Sequence, residues 1–480
     1  MDPWAVARRL LGSPGLILLE SQWRPRAYSR FSFLTAQPFL RLRSYGSRCL
    51  LTGGGGTLSL YGNPWEVLDQ LMARYEMPDQ PDVPFPVGGC FGFWGYGLAL
   101  FAESALRSLQ PDDRELPDCD LGFYDSLVVF DHELGRTLVV ASGLGADGSR
   151  TRARALEQRS RWLRVLEGAQ GSPSPLEAPF PAPARSPLPD GRRNSGREEF
   201  MRAVDRARQY IGRGEVYQVN LSRRVRGSVG VPPAGLYEAF RRASPAPFAM
   251  YMEGGDHCLV SHSPELFLRM NGPNVLTRPI KGTRARAAST EADHRARREL
   301  IENPKERAEL LMITDLLRND LGRLCEFGSV QVPELRRVEV HGAVHQAVAS
   351  ITGRLRPGIN HVAALARCFP GGSVTGAPKI RAMQIIDELE PVARGPYTGC
   401  GGYLGFNRES QLNILIRTAV FAGGRVWFHT GAGIVADSCP EAEFAETEAK
   451  AAVFRAAMAR LARERRLAGG GRPQPTLITS

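Results

Sequence analysis

The chain has 480 residues, of which 43% are hydrophobic and 23% are charged, and this composition is typical of a water-soluble globular protein. No apolar run approaches the roughly 18 residues that cross a bilayer, and the N-terminus lacks the pattern of a secretory signal, so we expect a cytoplasmic protein without a membrane partner. The formal net charge is +11. The basic residues are scattered and no nucleic-acid-binding motif accompanies them, which argues against the alternative of a basic nucleic-acid-binding protein.

Residues 1–167 form the first predicted region. Short apolar runs separated by glycine and proline, such as "TLVVASGLG", indicate that it is mostly β-structure. It contains Gly88-Gly89-Cys90-Phe91-Gly92, which fits the G-x-C-x-G turn around the nucleophilic cysteine of glutamine amidotransferases. That chemistry also needs a histidine, normally in an H-x-E context, and the chain has no H-x-E sequence. We therefore interpret Cys90 as part of a glycine-rich strand turn.

Three further segments follow the first region. Residues 168–193 are rich in proline, alanine and serine, a composition that predicts an exposed linker or a long surface loop. Residues 194–467 form the second predicted region, which is compact. Residues 468–480 are predicted to be a flexible tail.

The second region contains a lysine where arginines dominate. Only four of the 61 basic residues are lysine, and Lys281 lies between arginines in "RPIKGTRAR". Arginine stays protonated, whereas a lysine in a dry site can lose its proton and attack an electrophile. The alternative is an ordinary surface or anion-pairing lysine, which base rates favour.

Two predicted helices carry pairs of carboxylates. In "NPKERAELLMITDLLRNDLG" the predicted cap Asn303 precedes Glu306 and Glu309, and "SCPEAEFAETEAKAAVFRAAMARL" contains Glu443 and Glu446. Each pair is spaced by three residues and so shares one helical face. The pairs are either solvated faces with local ion pairs or, with one carboxylate from each helix, ligands of a Mg²⁺ ion. Spacing alone does not choose between these interpretations.

Several segments in chain order resemble the chorismate-utilising enzymes, a family that includes anthranilate synthase component I, aminodeoxychorismate synthase component I and the isochorismate and salicylate synthases. The segments are "GEVYQVNLSRR", "SHSPELFLR", "RPIKGTRAR", "KERAELLMITDLLRNDLGR", "VHQAVASITG", "FPGGSVTGAPKIRAM", "RGPYTGCGGYLGF", "NILIRTAVF" and "GAGIVADSCPEAEFAETEAKA". The first region adds "LLESQWRPRAYSRFSFL" and "GGCFGFWGYGLA". The resemblance implies an α+β fold, with large, stacked, mainly antiparallel sheets, helices outside, and a site in a cleft of the second region.

Two positions distinguish the branches of this family. Isochorismate and salicylate synthases carry a lysine base where this chain has Gln218, so the resemblance argues against water as the nucleophile. Anthranilate synthases read "PIAGT", whereas Pro279–Thr283 reads "PIKGT", the form of the aminodeoxychorismate branch. The resemblance therefore implies amination of chorismate to 4-amino-4-deoxychorismate for para-aminobenzoate and folate synthesis. Anthranilate synthase component I is the closest alternative.

The resemblance also implies the roles of individual residues. Lys281 corresponds to a covalent nucleophile that attacks C2 of chorismate, and Glu265 to the general acid at the C4 hydroxyl. Glu309 and Glu446 correspond to Mg²⁺ ligands, which Glu306 and Glu443 assist. The remaining positions correspond to substrate-binding residues: Arg417, Tyr397, Gly431, Gly433, His345, Thr375, Gln218 and Lys450.

Two binding partners are also implied. Ammonia is expected from a separate glutamine amidotransferase subunit, since no glutaminase was found in this chain. A tryptophan pocket, with or without regulatory function, is expected from Leu19, Glu20, Ser21, Tyr28, Ser29, Arg30, Phe31 and Pro247.

Overall fold

The computed structural model describes residues 1–22, 29–78, 80, 82–107, 116–168, 196–228, 231–341 and 344–467. The strands within these ranges are β1 (Ile17–Glu20), β2 (Phe31–Thr35), β3 (Leu40–Tyr45), β4 (Arg48–Gly53), β5 (Gly56–Tyr61), β6 (Gly89–Trp94), β7 (Cys119–Tyr124), β8 (Ser126–Asp131), β9 (Arg136–Ala141), β10 (Gln218–Ser228), β11 (Phe248–Glu253), β12 (His257–Ser263), β13 (Leu266–Asn271), β14 (Asn274–Arg278), β15 (Ile280–Ala285), β16 (Gln331–His341), β17 (Val344–Arg354), β18 (Gly376–Ala377), β19 (Cys400–Gly405), β20 (Glu409–Ile414), β21 (Thr418–Ala422) and β22 (Arg425–Ile434).

The α-helices of the same ranges are α1 (Pro3–Ala7), α2 (Pro64–Tyr75), α3 (Ala99–Ala102), α4 (Arg152–Gly168), α5 (Arg197–Gly212), α6 (Pro233–Ala243), α7 (Thr290–Glu302), α8 (Pro304–Gly322), α9 (His361–Cys368), α10 (Lys379–Leu389) and α11 (Pro440–Leu467). As predicted, the Asn303 side chain caps α8 by accepting a hydrogen bond from the backbone N–H of Glu306 at 3.0 Å. None of the helices in the described ranges has both the length and the apolarity needed to cross a membrane.

The strands form two large sheets. The first sheet has the order β18-β10-β22-β21-β12-β11-β1-β2-β8-β9. The second has the order β15-β17-β14-β13-β20-β19-β6-β7-β3-β4-β5, and β16 also pairs with β17. The neighbouring strands run antiparallel, for example β1 beside β11 and β6 beside β19.

The two sheets stack face to face because alternate residues of their strands are apolar and point inward. Aromatic rings join the sheets: Phe33 of β2 in the first sheet lies 5.1 Å from Tyr403 of β19 in the second. Phe91 of β6, the neighbour of β19 in the second sheet, stacks on the same ring at 5.3 Å. The next residue of each strand faces outward, so Ile17 belongs to the core between the sheets and Leu18 to the outer core.

Helices cover both outer faces. The first sheet packs against α4, α6 and α11, and the second against α2, α8 and α9. The predicted α+β fold of stacked antiparallel sheets with helices outside is therefore confirmed.

Both predicted regions contribute strands to both sheets. Strands from residues 1–167 meet strands from residues 194–467 at one seam in each sheet, β1 beside β11 in the first and β6 beside β19 in the second. The predicted linker, apart from Gly168, and the whole predicted tail lie outside the described residues. The boundaries of the regions stay predictions.

Cys90 lies in β6, fully buried. Burial raises the pKa of its thiol well above the ordinary value. A buried, protonated thiol is a poor nucleophile, in agreement with its interpretation as part of a strand.

Candidate functional site

Lys281 and Glu265 both belong to the second sheet, Lys281 as the second residue of β15 and Glu265 just before β13. Burial lowers the pKa of Lys281, although the carboxylates of Glu265 and Glu309 oppose this shift. Burial raises the pKa of Glu265, which is 5% exposed. Burial thus shifts the amine toward its neutral form and the carboxyl toward its protonated form, the forms that a nucleophile and a general acid need.

A residue that the sequence did not single out contacts Lys281. The Lys281 Nζ donates a hydrogen bond to the backbone oxygen of Ser373 at 3.2 Å. Hydrogen bonding between the Ser373 side chain and Glu265 opposes the effect of burial on the Glu265 pKa. Ser373 lies within "FPGGSVTGAPK", a segment that the sequence did indicate. Nothing in the segment distinguishes this serine from its neighbours.

The N-terminal part of α8 brings Glu306 and Glu309 to the same site. Arg284 of β15 donates to Glu306 Oε1 at 2.6 Å, whereas Glu306 Oε2 is buried without a hydrogen-bond partner in the described residues. The pKa of Glu309 is raised by burial and by the charges of Glu446 and Glu306, against the opposing effect of Lys281. Glu309 is thus electrostatically coupled to Lys281 and to carboxylates of both helices.

The N-terminal part of α11 supplies the second pair. Glu443 is buried and accepts a hydrogen bond from the Ser438 hydroxyl at 2.7 Å. Its pKa is raised by burial and by the charge of Glu446. Glu446 is half-exposed and pairs with Lys450 at 2.7 Å.

The four carboxylates suit a hard cation in their chemistry. Across the described residues, no three His, Cys, Asp or Glu side chains stand close enough together to form a metal cluster. Mg²⁺, however, commonly takes one or two protein carboxylates and fills its other positions with water and substrate. The buried Oε2 of Glu306 lacks a partner in the described residues, and the like charges around Glu309 raise its pKa. A bound cation would give the Glu306 oxygen a partner and would offset the repulsion at Glu309. These residues therefore fit a Mg²⁺ site.

Gly431 and Gly433 lie in β22, where other groups approach the backbone closely. A Cβ on Gly431 would lie 2.7 Å from the Leu221 carbonyl oxygen and 2.9 Å from the Tyr397 hydroxyl, so no side chain fits there. The Gly431 carbonyl accepts a hydrogen bond from Lys450 at 2.8 Å. A Cβ on Gly433 would lie 2.5 Å from Gln218 Nε2.

Gln218 itself is 1% exposed, and its Oε1 has no hydrogen-bond partner in the part of the chain that the structure describes. An unsatisfied buried oxygen is costly, and it is available to a donor on a bound molecule.

Arg417 and Tyr397 differ in their surroundings. Arg417 has a left-handed backbone with φ +53°, and among the described residues no carboxylate forms an ion pair with its side chain. Tyr397 is buried and stacks on His429 at 5.2 Å. Burial raises the pKa of Tyr397 to about 12, so its hydroxyl remains a hydrogen-bond donor at neutral pH. An unpaired guanidinium and a protonated phenol are suitable groups for binding a carboxylate.

Two predicted substrate-binding residues have protein partners. His345 Nε2 lies 2.9 Å from Asp293 of α7, and Asp293 also pairs with Arg286. The fully buried Thr375 donates to the Gly371 carbonyl at 3.2 Å. These contacts explain both residues structurally, and their substrate roles stay predictions.

The predicted tryptophan segment is only partly assembled. Leu19, Glu20, Ser21, Phe31 and Pro247 line one cavity together with Gln411 and Asn413 of β20. Its volume of about 20 Å³ is roughly that of one water molecule. An indole therefore does not enter without movement of the walls.

Two described residues of that prediction, Ser29 and Arg30, are not among the residues that line the cavity. Arg30 donates to Asp131 at 3.0 and 2.6 Å and so points to a neighbouring strand. Ser29 is buried, and Tyr28 lies outside the described residues. The tryptophan pocket stays a prediction.

Comparison with known proteins gives concordant results. A family model described as chorismate binding enzyme matches residues 18–456. The chain is 35% identical over 431 residues to aminodeoxychorismate synthase component 1 of Bacillus subtilis, covering 89% of each chain. It is 39% identical over 444 residues to anthranilate synthase component 1 of Thermus thermophilus, covering 92% of this chain and 91% of the relative.

The fold is similar to that of solved structures. Anthranilate synthase component I from Streptococcus pneumoniae matches with a TM-score of 0.76 and 30% identity, covering 89% of this chain and 93% of the other. The isochorismate synthase MenF from Escherichia coli matches with a TM-score of 0.68 at 18% identity and supports the fold alone.

Proposed function

The chain belongs to the chorismate-binding enzyme family, and we propose that it is the component of an aminodeoxychorismate synthase that converts chorismate and ammonia into 4-amino-4-deoxychorismate. The observation that carries this proposal is the amine of Lys281, held at 3.2 Å from the Ser373 carbonyl with its pKa lowered by burial. A neutral amine at this position gives the chain a nucleophile that an arginine could not supply.

The reaction would proceed in two displacements. In the first, the Lys281 nitrogen forms a bond to C2 of chorismate, both ring double bonds shift by one position, and the C4 hydroxyl leaves. Glu265 supplies the proton that converts this hydroxyl into water. In the second, ammonia forms a bond to C4 while the C2–N bond breaks, and Lys281 is released as an amine. Glu265 then accepts the surplus proton of the added ammonia.

The surrounding residues would bind the two carboxylates of chorismate. Arg417 and Tyr397 offer a guanidinium and a phenol O–H, and the glycines at positions 431 and 433 allow a close approach to the backbone. Glu309 and Glu446 would hold Mg²⁺, with Glu306 and Glu443 assisting directly or through water. When bound, the ion would neutralise a ring carboxylate and the charge that develops during displacement.

Gln218 supports the choice of nucleophile. Its amide cannot accept a proton from water at neutral pH, so it is no general base. The unpaired Oε1 can instead accept a hydrogen bond from a bound N–H or O–H group. Ammonia is thus favoured over water as the attacking molecule.

We further propose that a separate glutamine amidotransferase supplies the ammonia. The only G-x-C-x-G sequence of the chain lies in a buried strand, where Cys90 cannot reach glutamine. The purified chain is expected to use ammonium salt directly, and glutamine only after the amidotransferase is added. Glutamine turnover by the chain alone would contradict this part of the proposal.

Anthranilate synthase is the second candidate, because the 39% identity to the Thermus thermophilus enzyme exceeds the 35% identity to the Bacillus subtilis synthase. Anthranilate fluoresces, so product fluorescence separates the two activities. The decisive test incubates the protein with chorismate and Mg²⁺ without ammonia, followed by peptide mass spectrometry. A chorismate-derived adduct on Lys281, absent in Lys281→Ala, is expected. Unchanged aminodeoxychorismate synthesis by Lys281→Ala would refute the proposal.

A further inference from the structure

We propose that Arg394 is a positioning residue that acts through Thr398 and directs the Tyr397 hydroxyl to the chorismate site. This inference rests on the proposed function, because it takes Tyr397 as a residue that binds a carboxylate of chorismate. Arg394 would act through the other two residues and need not touch the substrate.

Arg394 lies between α10 and β19 and is buried together with Glu390. Its guanidinium donates from Nη2 to Glu390 Oε1 at 2.6 Å and from Nε to Glu390 Oε2 at 3.0 Å. Its other hydrogen bonds go to the Asn220 carbonyl of β10 at 2.5 Å, the Val374 carbonyl at 3.1 Å and the Thr398 hydroxyl at 3.1 Å. All five N–H donors of the side chain therefore have an acceptor, and separate segments of the chain meet at this one group.

Thr398 has a backbone conformation that needs such support. It is fully buried, and its φ of +61° lies in the left-handed region, which a β-branched residue rarely adopts. A residue keeps this conformation where the surrounding contacts fix it. Two hydrogen bonds do so here: Arg394 donates to the Thr398 hydroxyl, and the Thr398 N–H donates to the Leu415 carbonyl at 2.9 Å.

Tyr397, the preceding residue, is held by the same group. Its N–H donates to the Arg394 carbonyl at 3.3 Å, and its carbonyl accepts a hydrogen bond from the Thr398 hydroxyl at 2.6 Å. The Arg394 guanidinium also lies 5.8 Å from the centre of the Tyr397 ring. With its backbone and ring held in this way, Tyr397 directs its hydroxyl to Gly431, where an added Cβ would lie 2.9 Å from it. Loss of the contact at Thr398 should therefore leave this hydroxyl poorly oriented.

The hydroxyl of Thr398 can be removed without changing the shape of the side chain. In Thr398→Val, one donor of Arg394 loses its acceptor and the Tyr397 carbonyl loses its donor. Thr398→Ser restores the hydroxyl. Thr35→Val is the matched control, because it removes an equally buried hydroxyl that donates to the Ser126 carbonyl at 2.9 Å. Thr35 belongs to β2, which β21, β12, β11 and β1 separate from β22 in the first sheet.

The experiment measures kcat and KM from chorismate consumption with Mg²⁺ and ammonium chloride. A contact to a carboxylate that does not react is made in the ground state and the transition state alike, so its loss raises KM rather than lowering kcat. For Thr398→Val and for Tyr397→Phe we expect KM to rise about tenfold with kcat within about twofold of the wild type. Thr398→Ser should recover most of the KM, and Thr35→Val should change neither constant. In the double variant, Thr398→Val should add less than about twofold to the KM of Tyr397→Phe, because the hydroxyl that it orients is already absent.

Other outcomes overturn the inference in distinct ways. A wild-type KM in Thr398→Val beside a raised KM in Tyr397→Phe would overturn the inference and leave the proposed function standing. Multiplied effects on KM in the double variant would show that Thr398 does not act through the Tyr397 hydroxyl. A loss of activity that Thr35→Val shares would assign Thr398 to stability alone. Failure of the proposed function would appear separately, as a wild-type protein that consumes no chorismate, and the inference would fall with it.

Discussion

The buried carboxyl of Glu409 should make the stability of the protein depend on pH. Glu409 is 2% exposed at the start of β20, and its Oε2 has no hydrogen-bond partner within the described ranges. Burial raises its pKa from 4.5 to about 7, although Arg269, at 3.3 Å, opposes the shift. The folded protein therefore holds a proton that the unfolded chain releases above pH 4.5.

This difference in pKa determines whether stability rises or falls with pH. The stability contribution of the proton is fully present below the unfolded pKa of 4.5 and is lost as pH rises through about 7. The difference between the folded and unfolded pKa values of Glu409 corresponds to about 3 kcal/mol in the free energy of unfolding. Glu409→Gln removes the titration and keeps the shape. It should raise the free energy of unfolding by about 1 kcal/mol at pH 5.5 and about 3 kcal/mol at pH 8.

Urea unfolding followed by tryptophan fluorescence at the two pH values measures this difference. Glu302→Gln, at an exposed glutamate that ends α7, is the control and should change stability equally at both values. A Glu409→Gln variant whose stability relative to the wild type does not increase between pH 5.5 and pH 8 would refute the reasoning.

Three further predictions concern the site. Arg417→Ala should raise the KM for chorismate about 10- to 100-fold, because a charged hydrogen bond is lost. Steady-state kinetics measure this change, and an unchanged KM would contradict the prediction. Gly431→Ala places a Cβ 2.7 Å from the Leu221 carbonyl, so calorimetry should detect at least tenfold weaker chorismate binding; wild-type affinity would contradict the close approach. Glu309→Gln should raise the Mg²⁺ concentration for half-maximal activity about 10- to 100-fold, and chelation of the metal should abolish wild-type turnover; metal-independent activity would remove the assignment.

Local signals in the sequence were enough to predict several features of the structure. The Asn303 cap and the spacing of Glu306 and Glu309 depend on contacts within one helical turn, which the sequence specifies directly. The ordered motifs located Lys281 and Glu265, and the structure places them in electrostatic contact. The stacked sheets followed from the family resemblance.

Features that depend on distant contacts were not predictable in the same way. The Ser373 carbonyl binds Lys281 across 92 positions of the chain, and a backbone oxygen has no signature in the sequence. His345 pairs with Asp293, 52 positions away, through the packing of α7 on β17. The lining of the small cavity at the predicted tryptophan segment includes residues of β20, more than 370 positions after Glu20 by the printed numbering.

The single seam in each sheet has a consequence for synthesis on the ribosome. The edge of β1 has no partner until β11 emerges, and the edge of β6 has none until β19 emerges, about 230 and 310 residues later by the printed numbering. Such distant pairing slows folding and leaves strand edges open to other chains. The nascent N-terminal part must therefore wait for most of the polypeptide before its sheets are complete, and a chaperone that shields these two edges would raise the yield of folded protein.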